Sequence, residues 1–281
     1  MLCARAIAVV NPAPMGAGFS SYMHVGCGTC GCCKFNKRAE WSFRIAQEAK
    51  HSDWVFFVTL TYHDSVLPYT DLWRPTLVPR DVELFNKLVR KEQSRLGGVP
   101  IRFFLVGEYG TRFQRPHYHV VYFNLLPELA DPVRLLSIWK KGIVNVQTLD
   151  AGLTHYTSKY HVTTSNGERH LDDSDDRINE FTRSSNKPPD GGKYGGIGFQ
   201  YIHTHGDWHR KTRATYVVNN GYKQKMPKYY FDAIFGDLSE QEKAEMREES
   251  FRRFSYAESK KLRELKDQGF DNPMAELLDR K

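Results

Sequence analysis

The order of strand-like and helix-like segments between residues 54 and 150 constrains the fold of this chain more than any other feature. Four apolar segments rich in β-branched and aromatic residues predict strands. Two segments with helical periodicity lie between the first and second strands and between the third and fourth. In chain order, the segments are 54–62, 79–98, 101–110, 117–124, 131–142 and 143–150.

This strand–helix–strand–strand–helix–strand order predicts an α+β fold of the split βαβ, ferredoxin-like type that RNA-recognition modules also use. We expect an antiparallel sheet of four to five strands with two helices on one face. The other face is expected to be open. The second strand is expected to break at Gly107.

The composition changes along the 281 residues, and these changes predict five segments. They are a Cys-rich segment ending in a basic helix, a core containing the sheet, a polar and turn-rich insertion loop, a basic and aromatic extension, and a charged tail that is helical or disordered. These segments are 1–50, 51–162, 163–192, 193–236 and 237–281.

The positive charge of the chain is concentrated between Arg183 and Lys228. This stretch has nine basic and two acidic residues, an excess equal to the net charge of +7 of the whole chain. Aromatic residues are interleaved with the cations, a pattern typical of proteins that bind single-stranded nucleic acid. A solvated basic face with aromatic residues in the core is the alternative. The candidate DNA contacts of this region are Lys193, Arg210, Lys211 and Arg213.

No stretch of the sequence approaches the roughly 20 apolar residues that span a membrane. The apolar run near the start, AIAVV, ends at Asn11 and Pro12 and is too short for a secretory signal. We therefore expect a cytosolic protein.

Four of the five cysteines are crowded into the stretch CGTCGCC. Cys27 and Cys30 have the spacing of a metal-binding knuckle, and Cys32 and Cys33 follow directly. Structural disulfides are not expected in a cytosolic chain. The pattern predicts a zinc site formed by these four residues, and a Gly/Cys-rich loop with free thiols is the alternative.

His117 and His119 lie one residue apart in the predicted third strand, so their side chains point to one face, about 6–7 Å apart. A hairpin from Gly107 to Pro116 would place Glu108 beside His117. Two imidazoles and one carboxylate suit a divalent ion that also binds a substrate oxygen. The alternative is that the histidines only form hydrogen bonds within the sheet.

A second histidine-rich stretch, YIHTHGDWHR, contains His203, His205 and His209. It lies outside the predicted sheet, and the sequence shows no neighbouring strand that ends in a carboxylate. We therefore favour the first site. Surface or DNA-contacting histidines are the alternative interpretation of this stretch.

Tyr156 and Tyr160 are four residues apart in a predicted helix after the fourth strand, and Lys159 lies between them. A rise of about 1.5 Å per residue places both rings on one helix face, about 6 Å apart. An aromatic core stripe is the alternative, but the polar neighbours of both tyrosines favour an exposed pair. To reach the histidines, this helix has to turn back across the open face of the sheet.

Three motifs, in this order along the chain, resemble those of the HUH endonucleases: FFVTLTYHD, RPHYHVVYFN and YTSKY. The stretches CGTCGCCKFNKRAEW and NNGYKQKMPKYYFD further resemble the replication initiators of small single-stranded DNA bacteriophages, the microviruses, especially the gokushovirus branch. The resemblance extends from about Cys27 to about Phe235 and is stronger in the motifs than between them.

The resemblance implies a site-specific nickase and ligase that initiates rolling-circle replication through a 5′-phosphotyrosine intermediate. It implies that the paired tyrosines are the nucleophiles and that the two histidines and the glutamate hold Mg²⁺ or Mn²⁺. Lys159 would then position the phosphate or stabilise the phenolate. Thr59, Thr61 and Arg115 are expected to contact DNA.

The partners implied by the resemblance are single-stranded DNA at a phage origin and the helicase and polymerase of a bacterial host, in whose cytoplasm the protein would act. Two other classes stay open. One is a non-catalytic single-stranded nucleic-acid-binding module on the same fold. The other is a different HUH enzyme, a transposase or a relaxase.

Overall fold

The computed structural model of the protein describes residues 3, 5–10, 21–28, 30–149, 175–187, 195–219 and 221–267. The chain forms two compact units, one of Trp41–Gln200 and one of Met1–Glu40 together with Tyr201–Lys281. No helix within the described ranges is long and apolar enough to span a membrane.

The described residues form nine strands and six α-helices. In chain order these are β1 (Ile7–Val10), β2 (Tyr22–Val25), α1 (Gly31–Ala49), β3 (Val55–Thr61), α2 (Pro79–Arg95), β4 (Arg102–Tyr109), β5 (Pro116–Phe123), α3 (Pro132–Trp139), β6 (Val144–Thr148), β7 (Phe181–Ser184), α4 (Gln200–Thr212), β8 (Tyr216–Asn219), β9 (Tyr222–Lys225), α5 (Lys228–Ile234) and α6 (Glu240–Asp267).

The unit Trp41–Gln200 is built on one sheet, in which the described strands follow the order β6-β3-β5-β4-β7. All neighbouring strands are antiparallel. The order β3-α2-β4-β5-α3-β6 along the chain is that of a split βαβ unit. The predicted mixed α+β fold with an antiparallel sheet is therefore confirmed, and β7 adds a fifth strand.

One face of the sheet packs against α2 and α3, as the sequence predicted. Because side chains alternate along a strand, Val58 and Leu60 of β3 and Val120 of β5 all point to this face, where they are fully buried. Burying each such side chain contributes about 1.5–3 kcal/mol. The two helices contribute Val82, Phe85, Val89, Leu135 and Trp139 to this core.

The other face is only partly open, which corrects the sequence prediction. At one end of it, Ile45 of α1 is fully buried in a cluster that includes Phe57 and Val106. The ring centroids of Trp41 in α1 and Phe104 in β4 lie 4.5 Å apart. The C-terminal part of α1 therefore covers this end, and the opposite end of the face carries polar side chains of β3, β4 and β5.

β7 lies within the stretch 163–192 that the sequence predicted to be a loop, and it pairs with β4 so that Gly107 lies opposite Phe181. The ring of Phe181 occupies the space beside Gly107, and its centroid lies 6.3 Å from that of Tyr118. β4 continues through Gly107 to Tyr109, so the predicted break is wrong. The glycine serves the close approach of an aromatic ring, which cannot be inferred from the sequence of β4 alone.

Gly107→Ala is expected to lower the free energy of unfolding by about 1–3 kcal/mol, the usual cost of overpacking a core. The added methyl carbon would lie 2.8 Å from Cε1 of Phe181 and 3.2 Å from Cδ1 of Tyr118. Urea unfolding followed by circular dichroism measures the change. Gly206→Ala on α4 is the control, because the nearest side-chain atom to its added methyl would be Cγ2 of Ile202, at 3.8 Å. Equal losses in both variants would contradict this explanation.

The unit of Met1–Glu40 and Tyr201–Lys281 contains the hairpins β1-β2 and β8-β9 and the helices α4, α5 and α6. Its core is rich in aromatic residues, with Tyr230 and Phe235 fully buried and the rings of Tyr201 and Tyr230 4.9 Å apart. The charged C-terminal segment is helical through Asp267.

Candidate metal centre on the sheet

Glu108, His117 and His119 lie together at the polar end of the partly open sheet face. The register of β4 and β5 pairs Glu108 with His117, and the register of β3 and β5 pairs Thr59 with His119. Because β5 alternates its side chains, both histidines point to the same face. These three residues are called the Glu-His-His group below.

The donor atoms of the Glu-His-His group converge on one point. Nε2 of His117 lies 2.9 Å from Oε1 of Glu108, and Nε2 of His119 lies 3.2 Å from the same oxygen. Adjacent donors of an octahedral ion with metal–ligand distances of about 2.1 Å are about 3 Å apart. The two imidazoles and the carboxylate therefore fit a divalent cation, and the donor set leaves further positions for a substrate oxygen.

Burial and the charge of Glu108 act in opposite directions on the two imidazoles. Burial disfavours protonation of His117, but the hydrogen bond to Glu108 and its negative charge outweigh it and raise the pKa of His117. At His119 burial dominates and lowers the pKa, with Glu108 offsetting part of the effect. His117 is thus the partner that shares a proton with Glu108, and a divalent cation would replace that proton.

The outer ring nitrogens of both histidines have hydrogen-bond partners. Nδ1 of His117 lies 3.1 Å from the carbonyl oxygen of Arg115, and Nδ1 of His119 lies 3.0 Å from Oγ1 of Thr59. When Nδ1 donates to these oxygens, Nε2 carries the free lone pair that a metal ion needs. The hydroxyl of Thr59, which the sequence predicted to contact DNA, is therefore placed to orient His119.

Thr59→Val is expected to weaken Mn²⁺ binding by about 10-fold, the lower end of the range for partners of metal-ligating histidines. Valine has the shape of threonine but accepts no hydrogen bond from Nδ1 of His119. Calorimetric titration with Mn²⁺ measures the affinity. Thr61→Val is the matched control, since Thr61 points to the same face and its hydroxyl lies 3.5 Å from the Ile143 carbonyl. An equal loss in both variants would refute the role of Thr59.

Glu180 is a buried residue beside this group that the sequence analysis did not identify. Its Oε1 accepts a hydrogen bond of 3.1 Å from the backbone N–H of Tyr109, and its charge contributes to the raised pKa of His117. The only sequence signal is its position directly before the apolar Phe181 in an otherwise polar stretch.

Arg115, predicted to contact a phosphate, holds the loop after β3 in place. Its Nη1 donates to Oδ1 of Asp64 at 2.5 Å, and its Nη2 donates to the carbonyl oxygen of Tyr62 at 2.8 Å. The side chain is still 38% exposed, so the guanidinium has a face open to solvent.

The predicted nucleophiles and one predicted DNA contact lie outside the described residues. These are Tyr156, Lys159, Tyr160 and Lys193.

The other predicted DNA contacts lie at and just after the end of α4. Arg210 pairs with Asp237 at 2.8 Å, and Arg213 pairs with Glu242 at 3.0 Å, whereas Lys211 is exposed. The aromatic residues of this basic region divide into two sets. Tyr201 and Tyr230 are buried in the core, as in the alternative interpretation, and Trp208 and Tyr222 are exposed.

The second histidine-rich stretch forms part of α4. His209 is fully buried, and its ring nitrogens lie 2.9 Å from the hydroxyl of Tyr201 and 2.9 Å from the carbonyl oxygen of Ala214. Among the described residues, His203, His205 and His209 do not form a group with metal-ligating distances.

The described cysteines form a second cluster of potential ligands, in the unit that contains Met1–Glu40. It brings together Cys27, Cys30 and Cys33, as the sequence predicted. Its fourth member is Cys3 rather than the predicted Cys32, which is buried at 6% exposure.

The part of the chain that carries the Glu-His-His group matches a known protein family. Residues 55–165 match the family model of the phage replication-associated protein ORF2. This stretch begins with β3 and also contains the tyrosine pair.

Particular relatives are replication-associated proteins of small phages. The chain is 35% identical over 152 residues to the replication-associated protein ORF2 of Spiroplasma virus 4, a match that covers 48% of this chain and 47% of the relative. It is 27% identical to VP4 of Bdellovibrio phage phiMH2K, over 73% and 66% of the two chains. It is 22% identical to ORF4 of Chlamydia phage 1, over 76% and 54%.

Each of these matches covers less than two thirds of the relative's own length. No solved structure matches the chain significantly. The resemblance to phage replication proteins, predicted from the motifs, is confirmed by the family match and by the three relatives.

Proposed function

We propose that this protein is a site-specific nickase and ligase of the HUH type that initiates rolling-circle replication of a small single-stranded DNA phage. The observation that carries the proposal is the convergence of Glu108, His117 and His119 on one point of the sheet. The match of residues 55–165 to replication-associated proteins supports it, because that stretch contains both this group and the tyrosine pair.

In the proposed reaction, the hydroxyl oxygen of Tyr156 or Tyr160 attacks a phosphodiester phosphorus of single-stranded DNA. The bond from phosphorus to the 3′ oxygen breaks, so the tyrosine carries the 5′ phosphate and a 3′-OH is released. Mg²⁺ or Mn²⁺ in the Glu-His-His group supplies Lewis-acid polarisation of the phosphate. Lys159 is proposed to stabilise the attacking phenolate.

The phosphotyrosine bond retains the energy of the phosphodiester, so attack by a 3′-OH on the same phosphorus rejoins the strand without ATP. A second tyrosine four residues away allows a new cut while the first tyrosine still holds a 5′ end. The released 3′-OH is the primer that a host polymerase extends, with a host helicase, in the cytoplasm of the bacterial host.

The DNA contacts are proposed to be mostly electrostatic. Thr61 and Arg115 lie near the Glu-His-His group on β3 and at the start of β5, where a phosphate would bind. Lys193, Arg210, Lys211 and Arg213 are proposed to bind the DNA backbone, which makes the affinity decrease as salt increases.

The proposal is tested by trapping the covalent intermediate. Purified protein is incubated with end-labelled single-stranded oligonucleotides tiled across the genome that encodes it, with Mn²⁺ or with EDTA. An adduct that survives hot detergent, requires Mn²⁺, and disappears in the Tyr156→Phe/Tyr160→Phe double variant is the expected result. Tyr222→Phe is the matched control, because Tyr222 is also exposed, at 79%, and lies outside residues 55–165.

Each alternative class predicts a different outcome of this experiment. Tight strand binding without an adduct on any oligonucleotide would overturn the nickase proposal and favour a non-catalytic binding module. An adduct that forms only at the ends of a mobile element or at a plasmid transfer origin would favour a transposase or a relaxase.

A further inference from the structure

Four thiols from three separate stretches of the chain meet in the unit that contains Met1–Glu40. The sulfur atoms of Cys3, Cys27, Cys30 and Cys33 all lie within 4.8 Å of one another, and those of Cys3 and Cys30 are 3.6 Å apart. Cys3 precedes β1, Cys27 and Cys30 follow β2, and Cys33 lies in the first turn of α1.

The β1-β2 hairpin is what brings Cys3 to the others. Its register pairs Ile7 with Val25. Continued by two more residues on each strand, this register places Arg5 opposite Cys27, and Cys3 then faces the turn between Cys27 and Cys30. A contact over 27 residues of sequence is thus produced by one short hairpin.

The backbone around the thiols is arranged as in metal-binding knuckles, with N–H groups directed at sulfur. The N–H of Cys27 donates to Sγ of Cys3 at 3.2 Å, and the N–H of Cys30 donates to Sγ of Cys27 at 3.4 Å. The N–H of Arg5 also donates to Sγ of Cys3, at 3.3 Å. Such donors stabilise negative charge on sulfur, which thiolate ligands carry and neutral thiols do not.

Two glycines make this approach sterically feasible. A side chain at Gly26 would place its Cβ 2.9 Å from Sγ of Cys33. Gly28 has a φ of +78°, a left-handed conformation that suits glycine and turns the chain between Cys27 and Cys30.

We propose that Cys3, Cys27, Cys30 and Cys33 bind one Zn²⁺ as a tetrahedral structural site that fixes the β1-β2 hairpin to the start of α1. With zinc–sulfur distances of about 2.3 Å, the sulfur atoms of such a site are about 3.8 Å apart, so the observed group needs shifts of under about 1 Å. A disulfide requires about 2.05 Å between sulfurs.

Cys32 is the cysteine that this site excludes, although it lies closest in sequence to Cys33. Neighbouring residues of a helix point about 100° apart, so Cys32 and Cys33 cannot both face the same ion from the first turn of α1. Cys32 is instead buried, at 6% exposure. It therefore provides a matched control for the ligand set.

The test measures metal content and the spectrum of the bound metal in the full-length protein. Wild type and the variants Cys3→Ser, Cys30→Ser and Cys32→Ser are purified under reducing conditions, dialysed against EDTA and analysed by plasma mass spectrometry. We expect one zinc per chain in wild type and in Cys32→Ser, and close to none in Cys3→Ser and Cys30→Ser. Loss of zinc from Cys32→Ser with retention in Cys3→Ser would overturn the proposed ligand set.

Cobalt substitution of the wild-type protein tests the site without relying on the folding of any variant, and it separates this site from the Glu-His-His group. Co²⁺ bound by four thiolates gives intense sulfur-to-metal charge-transfer bands together with tetrahedral d–d bands, whereas Co²⁺ bound by imidazole and carboxylate gives no thiolate band. The expected result is a four-thiolate spectrum that Zn²⁺ abolishes. Absence of thiolate bands, or the visible absorption of an iron–sulfur cluster in the purified protein, would overturn the proposal.

Discussion

Glu108→Gln is expected to reduce the rate of Mn²⁺-dependent adduct formation by about 10²–10⁴-fold, because metal stabilisation of transition-state charge is worth several kcal/mol. Glutamine retains the shape of the side chain and a hydrogen bond to one imidazole. It removes the only carboxylate charge in the group and with it most of the affinity for a divalent cation. The adduct assay with titrated Mn²⁺ measures both effects.

Because Glu108 is 3% exposed, its replacement has to be distinguished from a loss of folding. Circular dichroism and urea unfolding of the variant provide that comparison. Glu83→Gln is the matched control, since Glu83 lies on the exposed side of α2 and its side chain is 52% exposed. Wild-type adduct formation by a folded Glu108→Gln variant, with unchanged Mn²⁺ dependence, would refute the metal role of this group.

Arg102→Met is expected to lower the free energy of unfolding by about 3–5 kcal/mol, the cost of leaving one charge of a buried ion pair without its partner. Nε of Arg102 in β4 donates to Oε1 of Glu48 in α1 at 2.5 Å, and the two side chains are 5% and 2% exposed. Methionine retains the apolar length of arginine but leaves the carboxylate of Glu48 buried without a cation.

The same ion pair also binds the chain on both sides of residues 188–194. Nη1 and Nη2 of Arg102 donate to the carbonyl oxygens of Lys187 and Gly195 at 2.6 and 2.7 Å. Oε2 of Glu48 accepts a hydrogen bond of 2.6 Å from the N–H of Gly198. Loss of the arginine therefore removes hydrogen bonds to two buried or part-buried carbonyls in addition to the ion pair.

Urea unfolding measures the effect of Arg102→Met, and an exposed ion pair provides the control. Arg95 and Glu92 pair at 2.9 Å on α2 with side chains 68% and 35% exposed, so Arg95→Met is expected to cost less than about 1 kcal/mol. The Glu48→Met/Arg102→Met double variant is expected to recover part of the loss, since it leaves no buried charge. A loss in Arg102→Met no larger than in Arg95→Met would contradict the role of this pair.

The sheet and the Glu-His-His group are the parts of this protein that follow from short stretches of sequence. The spacing of His117 and His119 determines that they share a face, because the direction of side chains in a strand is a local property. A single hairpin then suffices to pair Glu108 with His117. The strand β7 was missed because its stability comes from Phe181 packing beside Gly107, a contact across more than 70 residues.

The sequence by itself determined the order of strands and helices in the sheet-forming unit and the face on which the histidines lie, since backbone propensity and alternation act over a few residues. Only the tertiary structure decided that Cys3 replaces Cys32 in the thiol cluster, that α1 covers one end of the sheet, and that Thr59 orients His119. These features depend on contacts between distant segments. Such contacts form only when burial of apolar surface offsets the entropy of closing long loops, so no local pattern records them.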